Sequence, residues 1–489
     1  MVRPKPNVIQ QQHRDPSCKL DVLIVGAGLG GLGAVISILL HGHSVTILEA
    51  TSEIAEVGAG IQCLPNSSRV LISWGLEKAL SEHATQPRQC NYLGWKGNPL
   101  AHMDFHEYSA ALGTPFWDFH RASLHLCLLE RAKGLGARVE TGMRVLDVEF
   151  EGLEEGRTVA VAVMENGERR KGDLIVGADG INSRCREILL GRPDPPLLTG
   201  DLAYRLLLKT EDMMKDPELR DFIEDPQVNY WMGPDAHAVN YVLRGGKLFN
   251  MVLLVPDDMP AGANTLAGNV DEMRALYKDW DPRIPRLLSL CESVYKWRLC
   301  IRPNLNPTWS HESGAFTMLG DAAHATLPYL ASGAGMSLED GHVLGLCLGR
   351  LQGKSDAQKQ KALKVYERCR RQRTERVVAR GNLQQHLYHV HDGVEQEERD
   401  RLLRNFSIFN GRGPAAKEEL EKQGLKEGSD PFPWRWEGCG KWLLTYVCED
   451  DVEKRWEEID KEATSTHEMG QKRMDPSRID RITVAQLLR

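Results

Sequence analysis

Between Asp21 and Glu49 the chain carries a segment that leaves few alternatives. An apolar run, Asp21-Val-Leu-Ile-Val25, leads into Gly26-Ala-Gly28-Leu-Gly-Gly31. An apolar stretch to Leu40 follows, then a second β-rich run, Ser44-Val-Thr-Ile-Leu48, that ends at Glu49. Val22 to Leu40 is 19 residues without a charge, a length that by itself would suit a transmembrane helix. Five glycines within it (Gly26, Gly28, Gly30, Gly31, Gly33) argue instead for a strand, a tight turn and a buried helix. Strand, turn, helix and strand make a right-handed βαβ unit. In such a unit the glycines let the backbone turn and approach a pyrophosphate, and the helix N-terminus supplies amide donors. The acid at the end of the second strand, here Glu49, 23 residues after Gly26, accepts ribose hydroxyls.

Composition narrows the partners. With 489 residues the chain should hold two or three globular units. Lys+Arg 61 against Asp+Glu 68 leaves a net charge of −7, so there is no basic field for nucleic acid, and a small molecule is the expected partner. The 11 cysteines are odd in number and dispersed, with no CxxC pair and no Cys/His cluster. That argues against a disulfide framework or a metal site and for a reducing, cytoplasmic setting. No membrane span is expected.

Periodicity suggests an arrangement of segments. Residues 1–19 are polar and without period and read as a disordered arm. Residues 20–90, 119–195 and 309–380 read as one discontinuous domain, with a helix at Ala122–Leu135 and strands at Arg138–Glu149, Thr158–Met164 and Leu174–Gly177. Residues 91–118 and 196–308 read as a second domain, because 229–232, 238–243 and 248–255 look like antiparallel strands with a broad apolar face. Residues 381–460 form a helical C-terminal region, continuing a long helix from about Gln358 to His391, with a Gly/Pro/Lys/Glu connector at 411–433 and a loosely ordered tail at 461–489. On the long helix Arg368, Arg370, Arg371, Arg373, Arg376 and Arg380 are interleaved with Glu367 and Glu375, which predicts a solvated face.

Two later motifs make the reading specific: Gly177-Ala-Asp179-Gly180-Ile-Asn-Ser183-Arg-Cys-Arg186 and Gly320-Asp321-Ala-Ala-His324-Ala-Thr-Leu-Pro328. With the N-terminal fingerprint, and over roughly residues 20–380, the chain resembles the class A flavoprotein monooxygenases, the aromatic hydroxylases typified by p-hydroxybenzoate and salicylate hydroxylases. Val57-Gly-Ala59-Gly60-Ile61, Pro65-Asn66, His120-Arg121, Ala203-Tyr-Arg205 and Gly233 to Tyr241 resemble the fungal salicylate-hydroxylase-like branch. The implied fold is α/β and p-hydroxybenzoate-hydroxylase-like. It has a Rossmann-like FAD-binding domain, an antiparallel-sheet substrate domain and a helical C-terminal region.

The resemblance implies noncovalent FAD, with NADPH or NADH as a transient reductant and O2 adding at flavin C4a. The distal oxygen of the hydroperoxide then passes to a phenolic or polyketide-type aromatic, which is hydroxylated or oxidatively dearomatised. Carried over by residue, Gly26, Gly28, Gly31 and Glu49 would hold the ADP half. Ala59, Gly60 and Arg121 would contact the cofactor, and Asp321 would accept a ribityl hydroxyl. Ala334 would open the helix under the flavin ring. Asp179 would serve flavin and nicotinamide, or simply make a tight turn. Arg205 would anchor a phenolate with Tyr241, and His237 and Tyr204 stand in reserve. His324 belongs to the flavin-loop motif, where it packs near the loop or moves a proton. Ala331-Ser332-Gly333 departs from a branch that often has Gln before the glycine. Three alternatives remain: a halogenase, whose Trp-x-Trp-x-Ile-Pro motif is absent, since Trp434-Arg-Trp436 is misplaced; an epoxidase or indole oxidase; and a non-catalytic flavin-binding protein.

Overall fold

The computed structural model describes residues 3–54, 59–154, 156–302, 305–408, 430–435 and 439–473. Among these, the apolar runs pair as a five-stranded parallel sheet in the order Phe316–Met318, Leu174–Gly177, Asp21–Val25, Ser44–Leu48, Arg138–Glu140. The helix Leu29–Leu40 is buried almost throughout. It lies against the helix Gly333–Leu348, so closely that a Cβ on Gly341 would stand 2.4 Å from the Ala34 nitrogen. The 19-residue apolar run is therefore a strand and a core helix. No described helix is long and apolar enough to cross a membrane.

The second sheet has eight strands, in the order Thr265–Gly268, Val294–Ile301, Leu197–Lys209, Leu248–Pro256, Ala236–Leu243, Val228–Gly233, Gln89–Gly94, Pro99–Asp104. Its pairings are antiparallel except that of Val228–Gly233 with Gln89–Gly94. Both faces are covered, so side chains divide by the period of two. Leu202, Tyr204, Leu206, Trp231 and Leu253 pack with Leu219, Met273, Ile284 and Leu287 of the helices Pro217–Glu224, Val270–Leu276 and Arg283–Ser289. Ala203, Tyr230, Val239, Tyr241 and Leu254 belong to the other face.

Several local expectations change. The N-terminal arm is extended but docked. The Arg3, Ile9 and Gln12 amides donate to the carbonyls of Ala111 (2.9 Å), Ser73 (2.8 Å) and Leu40 (2.8 Å). The Arg14 guanidinium donates to the carbonyls of Gly349 (2.7 Å) and Leu351, where the second helix ends. The arm is not disordered because its donors cap chain ends that lack internal partners. The expected strand 138–149 breaks at Gly142, whose φ is +71°. Arg138–Glu140 stays in the parallel sheet and Val145–Leu153 pairs with Arg157–Met164 in a three-stranded sheet. The last helix runs from Cys448 to Arg473, so 461–473 is helix where a loose tail was expected; 474–489 lies outside the described residues. Of the connector 411–433, residues 411–429 also lie outside. Pro431 accepts from Gln384 Nε2 at 3.0 Å, and Phe432 is buried.

The largest correction concerns the arginines of the long helix Asp356–Tyr388. Arg370, Arg373 and Arg380 are 0%, 8% and 5% exposed. Their spacings of three and seven residues put them on one face of the helix, which is turned inward rather than to solvent. Arg370 spans Glu339 (2.8 Å) and Asp340 (2.7 Å), and Arg373 pairs with Glu339 (2.8 Å). Burial alone would raise the Asp340 carboxyl, but His324 and Arg370 hold it down at about 2. Removing one partner of such a network strands the others without solvent. Arg370→Ala should therefore lower the unfolding free energy by about 3–5 kcal/mol, read from urea denaturation.

Candidate active site

Two cavities of about 310 Å³ each share Gly28, Ala178 and Gly180 in their walls. The first is bounded by the turn after the first strand. Gly26 adopts φ +105°, donates its N–H to Leu48 O at 2.9 Å, and sits so close to Ala178 that a Cβ would lie 2.6 Å from that carbonyl oxygen. A Cβ on Gly31 would lie 2.1 Å from Gly26 O, so this glycine closes the turn on itself. Gly28 differs. Nothing stands within 4 Å of its Cβ direction, and the helix that begins after it has no side-chain cap. Its first amides therefore face open space, which suits an anion. Glu49 locks the turn: Oε2 accepts from the Ala27 N–H (2.8 Å) and Oε1 from the Thr51 N–H (2.9 Å). Asp179 accepts from the Ser183 hydroxyl (2.6 Å) and the Cys185 N–H (2.9 Å), so it builds the strand-to-loop turn while lining this cavity.

The second cavity lies between the two sheets. Arg121, Asp321, Gly333 and Ala334 line it together with Ala59, Gly60, Arg205, His237 and Tyr241. Gly320 donates its N–H to Asp340 Oδ2 at 2.9 Å, which sets Asp321 at the start of a short turn of helix. The Asp321 carboxyl is ringed by protein yet open to the cavity. Burial pushes its pKa up, against the pull of His324 and Arg121. The helix Gly333–Leu348 also starts without a side-chain cap. At the altered flavin loop Ala331 takes a left-handed conformation, φ +50°, and lines the cavity. The Arg121 N–H donates to Ala59 O at 2.8 Å, tying the following helix to the strand Gly60–Cys63. Two uncapped helix starts, two cavities that share a wall of Gly28, Ala178 and Gly180, and one acid open to the second of them fit an elongated dinucleotide such as FAD.

The charges at the substrate-sheet end are unusual. Arg205 is half-buried in the cavity wall, its Nε is buried and, among the described residues, has no hydrogen-bond partner and no carboxylate to pair with. The Trp297 ring lies 5.3 Å from its guanidinium, and burial with the nearby Arg121 lowers its pKa. Burial raises the Tyr241 phenol, so it stays a neutral donor. His237 is held neutral by burial and by His389, whose Nε2 lies 2.7 Å from its Nδ1. His389 Nδ1 lies 3.6 Å from Asp201, which also accepts from the Tyr329 hydroxyl at 2.5 Å.

Tyr204 is not in this site. One step along the strand turns it to the opposite face, where its hydroxyl donates to Glu272 at 3.3 Å. His324 is absent from the cavity wall. Its Nε2 meets Asp340 at 2.6 Å and its ring lies 5.2 Å from that of Trp309, so it packs behind the loop. Sequence reasoning missed Gln62, Asp118, Asn250, Tyr329 and His389. Gln62 could have been found from Gly60, two residues earlier on the same strand. His389 reaches the site only through the long helix and carries no local signal.

The family model described as FAD binding domain matches residues 19–381. The FAD-dependent monooxygenase OpS4 of Beauveria bassiana is 42% identical over 390 residues, covering 78% of this chain and 89% of its own length. The 3-hydroxybenzoate 6-hydroxylase of Polaromonas naphthalenivorans is 33% identical, with 82% and 94% covered. In fold, a solved salicylate hydroxylase substrate complex superposes with a TM-score of 0.69 at 21% identity, over 90% of this chain and 98% of that one. The non-catalytic reading falls with these relatives. The glycine turn, the uncapped helix starts and the matched length lead to one conclusion: the chain belongs to the FAD-dependent monooxygenases of the class A flavoprotein hydroxylase family.

Proposed function

We propose that the protein uses NAD(P)H and O2 to hydroxylate a phenolic aromatic whose oxyanion is held by Arg205. The observation that carries this reading is a cavity-lining guanidinium with no carboxylate to pair with among the described residues. A cation in a low-dielectric cavity lowers the pKa of a phenol placed against it and favours the phenolate, the electron-rich form. Tyr241, kept neutral, donates its hydroxyl to the same oxygen. His237 has Nδ1 engaged by His389 and its other ring nitrogen free to take the phenol proton, with Asp201 behind His389 to stabilise the cation that forms. Val239, Val252, Leu254 and Leu327 exclude water from the reacting carbon.

In the same reading Gly26, Gly28, Gly31 and Glu49 hold the ADP half of FAD, Arg121 and Asp321 meet its polar middle, and Ala59, Gly60 and Ala334 border the ring. FAD, once bound and reduced, supplies the activation of O2. The relatives named for hydroxybenzoate chemistry support a small aromatic acid or phenol as the substrate class. An epoxidase or indole oxidase would leave Arg205 without an anion, and the phenol reading is preferred for that reason.

Asp321→Ala should remain folded, with a wild-type far-UV circular dichroism spectrum, but carry less FAD per chain by absorbance and melt lower only by the stabilisation the lost FAD supplied. Denaturing precipitation of the wild type should release the yellow chromophore into the supernatant. Arg205→Ala should keep FAD and thermal stability while kcat/KM for a phenol falls roughly 10- to 150-fold, the worth of a hydrogen bond to a charged group. Tyr241→Phe should lose less, with more peroxide per NAD(P)H consumed. With heavy O2, one labelled atom should enter the product; a new oxygen drawn only from water would overturn the monooxygenase reading.

A further inference from the structure

The strands Gly60–Cys63 and Trp117–His120 pair antiparallel, with Gln62 opposite Asp118. Gln62 Nε2 donates to Asp118 Oδ1 at 3.0 Å. Asp118 is 1% exposed, and its second oxygen is buried with no hydrogen-bond partner among the described residues. The titratable groups it perturbs are Cys63, Cys90, Tyr230 and Tyr241, none of them a cation. Burial pushes its carboxyl up to about 8. A carboxyl this poorly compensated costs stability, and an apolar side chain would pack there without that cost.

Its one strong contact leads to the cavity. Gly60 and Gln62 share a strand face, and that face looks toward the substrate anchors: a Cβ on Gly60 would lie 2.6 Å from both Tyr241 Oη and Asn250 Cγ. Gln62 lines the same cavity as Arg205 and Tyr241. A primary amide has one donor end and one acceptor end. With the NH2 group turned to Asp118, the carbonyl Oε1 is turned away from it. Asp118 Oδ1 accepts that N–H whether the carboxyl is ionised or carries its proton on Oδ2.

We propose that Asp118 is a positioning residue that turns the Gln62 carbonyl toward the substrate, and that the preferred substrate is therefore a phenol bearing a second hydrogen-bond donor, a hydroxyl or amine, on its ring. This rests on the reading of Arg205 as the phenolate anchor. The phenolate oxygen satisfies Arg205 and Tyr241, both donors. The Gln62 carbonyl needs a donor of its own, and a substrate without one leaves a buried acceptor unpaired.

The test uses the full-length, FAD-loaded enzyme, with binding read from the perturbation of flavin absorbance. The probes are resorcinol, catechol and hydroquinone, each beside its monomethyl ether. The wild type should bind at least one diphenol roughly 10- to 100-fold more tightly than its ether. Gln62→Met should remove that preference by weakening the diphenol alone. Asp118→Asn, isosteric and able to donate to Gln62 Oε1, should shrink or invert it. Both variants should keep FAD content and melting temperature. Equal binding of every diphenol and its ether by the wild type overturns this proposal and leaves the Arg205 reading standing. An Asp118→Asn enzyme with wild-type preference, or one that loses both probes equally, overturns the positioning role. If no phenol perturbs the flavin, the Arg205 reading fails and this one with it.

Discussion

One buried carboxylate joins the parts of this molecule that the chemistry needs together. Asp340, inside a helix covered on nearly all sides, accepts from the Gly320 amide, from His324 and from Arg370 of the long helix. Through these contacts the loop that carries Asp321 is fixed to a core helix and to a C-terminal helix at once. Apolar side chains of similar volume would hold the helices together about as well. They would not hold the Gly320 amide, and the direction of Asp321 depends on that bond. Glu339, next along the helix, repeats the arrangement toward Arg373 and Asn66. The second arginine is needed because neither acid could be buried alone.

The period of two does comparable work in the eight-stranded sheet. Ala203, Arg205, Val239, Tyr241, Val252 and Leu254 share a cavity because each lies an even step from its neighbour on the same strand and in register across strands. Tyr204 is removed from the chemistry by a single step, although its side chain could otherwise serve. The cavity is thus an apolar surface with a few polar groups set into it: two cations, one acid open to it, and tyrosine and histidine groups kept neutral by burial.

The parts legible in the sequence were those where backbone geometry demands a residue type within a short window. Gly26, Gly28 and Gly31 could be placed because a turn, an open approach and a contact of turn with turn each require glycine. Asp321 followed from its glycine. Arg205 was found by resemblance, and its lack of an acidic partner among the described residues became visible only in three dimensions. The arginines of the long helix were misread because interleaved acids suggest a solvated face, whereas their true partners, Glu339 and Asp340, sit on another helix. Asp118 and Gln62 were invisible for a related reason. They meet across two short strands separated by most of a domain, and each looks ordinary in its own run. The docked arm was misread because polar residues without period can still donate to chain ends elsewhere.

The close packing of the first core helix against the helix Gly333–Leu348 has a consequence for how the chain is made. Leu29–Leu40 is made some three hundred residues before the helix that covers it and the carbonyls that Arg14 caps. Until then it can pack only on earlier elements such as the helix Arg121–Gly134, and the face that Gly333–Leu348 covers stays open. At 12 residues Leu29–Leu40 is too short to span a membrane, and it reaches such a length only when counted together with the strand and glycine turn before it. Apolar surface that stays uncovered in this way is prone to aggregate, so completing the fold quickly after the last of these elements is made favours the folded chain.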